Sequence, residues 1–254
     1  MPYSPGVFTI QTVLFKRSIF LTKKLGLIYR KQREKYPVNV KLQFVSDIVC
    51  PWCALGYQKL RETLEKLDSD ITVDVTCVPY ELNPELGQEG VLLSDHLAHI
   101  MNANAGRIAQ VQERMTKLGK EVDFKFNFTP ATRIYNTHKA HQLMYLAAKS
   151  DKALHMHAAL MKSYFTDGED ISDTSVLLKL AKETGLDQQQ VNQALANNSF
   201  SEDVNAAISQ VRAMGISGVP AYIIGDDMLQ GSREVGDLME FIQRASKVAI
   251  DQPG

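Results

Sequence analysis

The sequence predicts an α/β fold whose sheet is split by an inserted helical domain. Three observations predict it. Residues 40–82 read strand, helix, strand; residues 92–214 carry one helical apolar stripe after another; and from residue 219 the pattern returns to strand, strand, helix. A chain of 254 residues is long enough to bury a full core in such an arrangement.

The first strand is VKLQFVSD (40–47), which alternates and is rich in strand formers. The stretch ALGYQKLRETLEKLD follows, with helical spacing at Leu60, Leu64 and Leu67. Pro51 suits the first turn of that helix, where no backbone donor is needed, and this puts Cys50 at the N-cap directly after a strand. ITVDVTCVPYEL (71–82) alternates again and is the second strand.

In the helical block, Ile108, Val111, Met115, Leu118 and Val122 mark one stripe. Thr129 followed by Pro130 reads as a cap and first turn, opening a helix through Leu146. Leu154, His157, Ala158, Met161 and Phe165 mark the next stripe. Asp173 caps a helix that Gly185 ends, Asp187 with Gln190 resembles a capping box, and Val204, Ile208 and Val211 form the last stripe before Gly215. No fixed repeat period is present, so the block is a bundle and not a solenoid. Ala221–Ile224, a Gly-Asp-Asp turn and Met228–Gln230 form a hairpin, and the final helix runs from about Glu234 to Val248.

The resulting division is a basic extension at 1–39, the β-α-β half of the sheet domain with its connecting loop at 40–91, the inserted helical domain at 92–205, and the β-β-α half at 206–250. Residues 1–41 hold nine Lys or Arg against one acid, Glu34, which leaves 19 basic and 28 acidic residues downstream. An acidic body argues against nucleic acid as a partner. The extension is too often interrupted by charge for a secretory core region, and it lacks a small-residue cleavage site. No run reaches the length of a membrane span. A cytoplasmic location is expected.

The chemistry concentrates in SDIVCPWCALGYQKL (46–60). Cys50 and Cys53 lie one helical turn apart, and the chain has one other cysteine, Cys77. Unsatisfied N–H groups and the dipole at a helix N-terminus favour negative charge, so the Cys50 pKa is expected below the free value of about 8.5. Thiolate is the attacking species in disulfide exchange, and Cys53 is placed to close or resolve a disulfide. Three other readings compete. A buried structural pair is disfavoured because a site beside Pro51 at a helix start is expected to be poorly buried. Zinc needs four ligands, and only Cys77 and six scattered histidines remain. A permanent staple over two residues closes too small a loop to stabilise much. Trp52, the only tryptophan, either packs or presents an exposed indole to an apolar substrate segment. Cys77, mid-strand, reads as buried and inert, and His138, His141, His155 and His157 as ordinary core or surface histidines. Pro220, taken from spacing alone, is a proline opening a strand.

SDIVCPWCALGYQKL, ELNPEL (81–86), RIYNTHKAHQLMYLA (133–147), ALMKSYFTDGEDISD (159–173) and MGISGVPAYII (214–224) together make the chain resemble the DsbA-like thioredoxin-fold family, in its FrnE-like branch. The resemblance covers about residues 41–248. It implies an α/β thioredoxin fold with an inserted α-helical domain and a thiol–disulfide oxidoreductase or isomerase activity. On it, Cys50 attacks, Cys53 resolves, Pro51 and Trp52 tune the pair, and Pro220 is cis and packs beside the sulfurs. Val219 then offers its backbone to an extended substrate strand, and Val219, Pro220 and Trp52 form the substrate-binding set. Arg133, Asn136 and His141 match a family signature that either faces the cleft or braces a helix, and the ELNP loop shapes the cleft wall.

The partner is a disulfide- or thiol-containing protein or small molecule. No bound cofactor or metal is expected, and glutathione is the candidate co-substrate. The alternative function is a glutathione-dependent isomerase or transferase like the hydroxychromene carboxylate isomerases and kappa-class transferases, which resemble this chain but tend to carry serine at the Cys50 position. A zinc-binding interaction module ranks third. The sequence sets neither the direction of exchange nor an oligomeric state.

Overall fold

The computed structural model describes residues 37–251. The basic extension therefore falls, up to residue 36, outside the described residues. Strand β1 (Val38–Ser46) leads into helix α1 (Pro51–Lys66) and returns as β2 (Ile71–Pro79), which pairs parallel to β1 with Phe44 opposite Cys77. Burial alternates along β1 as the sequence pattern requires. Val40, Leu42 and Phe44 are buried and Lys41 and Gln43 exposed. Each such buried apolar side chain contributes about 1.5–3 kcal/mol.

After β2 come a two-residue strand β3 (Val91–Leu92) and helices α2 (Leu93–Met101) and α3 (Ala105–Glu121). Strand β4 (Arg133–Ile134) is followed by α4 (His138–Ala148) and α5 (Ala153–Lys162), which runs on as a π-helical turn at Ser163–Asp167. Helices α6 (Thr174–Glu183), α7 (Gln188–Ala196) and α8 (Ser201–Ala213) complete the block. Strands β5 (Ala221–Ile224) and β6 (Asp227–Gln230) then form the hairpin around Gly225-Asp226, and α9 (Val235–Asp251) closes the chain. The main sheet has the order β2-β1-β5-β6, with β5 antiparallel to β1.

One face of the sheet packs Val40, Leu42 and Phe44 against Tyr57 and Leu60 of α1, Tyr222 of β5, and Leu238, Phe241 and Ile242 of α9. The other packs Val45, Ala221 and Ile223 against Val211 of α8 and Ile216. The third and largest cluster joins the inserted helices to Ile48, Val49, Cys50 and Cys53. The cysteine pair thus sits at the seam between the sheet domain and the helical block.

Two predicted features differ. No helix opens at Thr129-Pro130. Thr132 folds back there, its N–H donating to the Thr129 carbonyl (3.0 Å) and its Oγ1 accepting from the Thr129 amide (2.8 Å). The chain then forms β4, which pairs antiparallel with β3, and the helix begins at His138, whose amide donates to Asn136 Oδ1 at 2.9 Å. A proline-led turn and a proline-led helix share the same first residues, and the choice was made by pairing with β3, some 40 positions away. Strand β2 also ends at Pro79, three residues before the predicted end. The caps at Asp173 and Asp187 are as read, accepting from the amides of Ser175 (2.7 Å) and Gln190 (2.7 Å).

Candidate active site

Cys50 occupies the N-cap of α1 with extended backbone (φ −86°, ψ 114°), and Pro51 begins the helix. The first turn holds no acidic residue that would repel an anion there. The Cys50 carbonyl accepts from the amides of Cys53 (3.0 Å) and Ala54 (3.2 Å), and its own amide donates to the Asp47 carbonyl at 3.2 Å. This fixes the strand-to-helix corner on which the pair is mounted.

Contrary to the sequence reading, the pair is not poorly buried: Cys50 is 4% exposed and Cys53 0%. The covering comes from the inserted helices and from the Val219-Pro220 segment, which a local reading of the helix start does not see. All three cysteines are free thiols. Burial pushes the Cys53 thiol well above the ordinary range, and its hydrogen bond and charge coupling to Cys50 push the same way; the Asp47 backbone and the Ser46 hydroxyl pull against them. Cys53 is therefore protonated at neutral pH. Cys77 is half-buried on β2, and burial raises its thiol to about 12.

The Val219-Pro220 peptide bond is cis, and Cys50 Sγ lies 3.7 Å from the Val219 carbonyl oxygen. That carbonyl is engaged by the thiol in this state. Cys50, Cys53, Pro51, Val219 and Pro220 are thus brought to one place. Trp52 points outward, 38% exposed, with the Arg114 guanidinium 5.7 Å from its ring centroid. It forms part of a cleft of about 510 Å³ whose walls include Leu55, Lys59, Arg114, Val122 and Ser232. Lys59 is tied to Glu234 at 2.5 Å on one side of this cleft.

Gly56, Ser46 and Asp47, to which the sequence assigns no role, complete the site with two of the histidines. Gly56, one turn beyond Cys53, lets α1 approach the cis-proline segment: a Cβ there would sit 2.6 Å from the Tyr222 hydroxyl and 3.0 Å from Pro220 Cγ. A glycine inside a helical pattern was the available signal. Beneath the pair lies a polar floor. Asp47 accepts from the Leu82 amide at 2.8 Å and lies 3.3 Å from His141 Nε2, which is also 3.0 Å from the Tyr80 carbonyl. Ser46 Oγ and His157 Nε2 are 2.9 Å apart. Burial, with the neighbouring His141, lowers the His157 pKa to about 3.

Of the two roles expected for the signature residues, only a helix brace is seen, at Asn136, whose Oδ1 accepts from the His138 amide at the start of α4. Arg133 donates to the carbonyls of Glu89 (3.0 Å) and Gly90 (3.0 Å), and Asn136 to that of Pro84 (3.3 Å), so these two brace the loop after β2. His141 alone reaches the floor. His138 joins Glu81 (2.6 Å) and Ser201 (2.8 Å), clamping that loop between α4 and α8. Among the described residues, no group of three or more His, Cys, Asp or Glu side chains is placed to hold a metal ion, and no helix is long and apolar enough to cross a membrane.

Comparison with known proteins bears on the fold and the family. The uncharacterized protein YwbO of Bacillus subtilis (strain 168) is 26% identical over 196 residues, covering 77% of this chain and 92% of YwbO. The crystal structure of the probable DsbA oxidoreductase SCO1869 from Streptomyces coelicolor superposes with a TM-score of 0.76 at 20% identity, over 81% of this chain and 89% of that one. A 2-hydroxychromene-2-carboxylate isomerase superposes with a TM-score of 0.63 at 14% identity, over 83% of this chain and 98% of that one. At these identities the two structures share the fold. The model of the DSBA-like thioredoxin domain matches residues 41–243, from the first core strand into the last helix, and the chain belongs to that family.

Proposed function

We propose that this protein is a thiol–disulfide exchange enzyme in which Cys50 is the attacking sulfur and Cys53 the resolving one. The observation that carries the reading is the placement of Cys50 at the N-cap of α1, against the Val219 carbonyl at 3.7 Å, with Cys53 one turn behind it. In the first half-reaction the Cys50 thiolate attacks one sulfur of a substrate disulfide. A mixed disulfide forms and the other substrate sulfur leaves as thiolate. In the second, Cys53 loses its proton and attacks Cys50 Sγ. The enzyme disulfide forms and the remaining substrate sulfur is released, so two electrons pass to the substrate. Run in reverse, the same steps oxidise a dithiol. Burial alone would also suit an inert pair. The polar floor, which an inert pair has no use for, supports exchange.

Val219 and Pro220 form the substrate-facing wall, Trp52 its apolar entrance, and Pro51 sets the corner that holds Cys50. Glutathione enters this scheme as a small thiol substrate. The isomerase reading shares the fold, but a chain carrying both cysteines is equipped for redox exchange. A cytosolic location suits this reading, because thiols are kept reduced there and disulfides are transient and catalytic. The test is turnover of a protein disulfide or an aromatic disulfide by the purified protein: Cys50→Ser is expected to abolish it, and Cys53→Ser to stall it at the mixed disulfide. Full turnover by Cys50→Ser overturns the assignment.

A further inference from the structure

Resolution requires Cys53 to surrender a proton from a site with no solvent contact. The side chain that reaches Cys53 and reduces the cost of its ionisation is the Ser46 hydroxyl, and Ser46 Oγ is 2.9 Å from His157 Nε2. The second ring nitrogen, His157 Nδ1, is buried and has no hydrogen-bond partner among the described residues. His157 lines a cavity of about 80 Å³ behind the sheet edge, shared with Ser46, Cys77, His141 and Met144 and reaching Thr76, which is exposed. That volume admits water beside polar groups. The imidazole is held in place by Phe44, edge-on at 5.5 Å, and Tyr57 at 4.7 Å.

We propose that Ser46 and His157 are positioning residues forming a proton exit from Cys53 to the cavity behind β2, resting on the exchange reading above. When Cys53 attacks, its S–H bond breaks and the proton passes to Ser46 Oγ. The Ser46 proton passes to His157 Nε2, and the proton on His157 Nδ1 leaves to a water or buffer base in the cavity. Ser46 Oγ ends with the one proton it began with, His157 ends as the other neutral tautomer with its proton on Nε2 in place of Nδ1, and the electron pair left on sulfur forms the S–S bond; the same transfers run backwards reset the ring when the disulfide is reduced. A ring whose charged form is disfavoured does not trap the proton on its way through. The ionisable groups around this path are His141 and Tyr145 on α4, Asp47 after β1, Tyr57 on α1, Cys77 on β2 and Cys50 itself. Asp47 is committed to the Leu82 amide and faces His141. The inserted helical block thus supplies, through His157 on α5, one end of the route.

The experiment is stopped-flow reaction of the reduced protein with 5,5′-dithiobis(2-nitrobenzoate). Release of the first chromophore reports Cys50 attack, and release of the second reports Cys53 resolution. Ser46→Ala and His157→Gln are each expected to slow the second phase by about 100-fold, the low end of what positioned proton transfer contributes, with little change in the first. The wild-type second phase is expected to slow in D2O. An unchanged second phase in both variants overturns the relay, as does equal slowing of both phases, which marks a structural role. If either variant fails to fold, the wild-type isotope effect decides, and its absence from the second phase overturns the proposal. Loss of the first phase in Cys50→Ser keeps the exchange reading intact whatever these variants do.

Discussion

On one side of the cysteine pair, Trp52 is 38% exposed beside the Arg114 guanidinium and an open cleft; on the other, Ser46, Asp47, His141 and His157 are each 3% exposed or less and joined by hydrogen bonds. The outer side is built from tolerant surface contacts and suits contact with varied partners. The inner side is built from polar groups that each depend on another, in surroundings where an unmade hydrogen bond is expensive. Substitutions inside are therefore expected to cost stability and the control of proton movement, and substitutions outside to cost substrate capture alone.

The sharpest test of that contrast is Asp47→Leu. It leaves the Leu82 amide and His141 without their carboxylate, and a loss of about 3 kcal/mol is expected in urea denaturation. Next comes Gly56→Ala. Its methyl group must displace the Tyr222 hydroxyl and press on Pro220, and overpacking of this kind costs about 1–3 kcal/mol. Because the nearest atom is a hydroxyl oxygen, adding Tyr222→Phe is expected to recover part of the loss in a double-mutant cycle. Full additivity would place the clash elsewhere. Tyr222→Phe alone removes a buried hydroxyl with no hydrogen-bond partner among the described residues and is expected to stabilise by about 1 kcal/mol.

The inner side also predicts a pH dependence. His157 has its folded pKa depressed to about 3 from an ordinary 6.5, so between those values the unfolded chain binds a proton that the folded one refuses. Stability is expected to fall as pH drops through this window. The ionisable groups around the ring (His141, Tyr57, Cys77 and Tyr145) remain in His157→Gln, so comparing its denaturation midpoints at pH 7 and pH 5 with those of the parent isolates this histidine, and the variant is expected to lose less. The smallest effects belong outside. Arg114→Ala removes an exposed cation–π contact of about 0.5–1 kcal/mol, and Trp52→Ala is expected to leave the denaturation midpoint nearly unchanged while raising KM for an apolar peptide disulfide. A stability loss at Trp52 as large as at Asp47 would erase the distinction between the two sides.

The outer side was the more legible in the sequence. The strand, the CPWC corner and the amphipathic helix after it are local patterns, and Pro51 alone identifies the first turn. The cis state of Val219-Pro220 was legible only through the family resemblance, since spacing reads the same proline as a strand opener. The inner side was legible only at His141, and there only through the family signature. Its members come from β1, the end of β2, α4 and α5, and Ser46 meets His157 across 111 positions. A single histidine on an apolar helix face carries no sign of which serine it will meet. The burial of the pair is hidden from a local pattern for the same reason: the cover is brought from elsewhere in the chain.

The complete enclosure of Cys53, set against the sliver of surface left to Cys50, has a bearing on oxidative wear. Peroxide climbing the sulfenic-to-sulfonic ladder meets Cys50 first, and a sulfenic acid formed there has a thiol waiting one helical turn away to condense with it. Such damage is captured as the same disulfide that the proposed exchange cycle makes, so any reductant able to recycle that disulfide also repairs it.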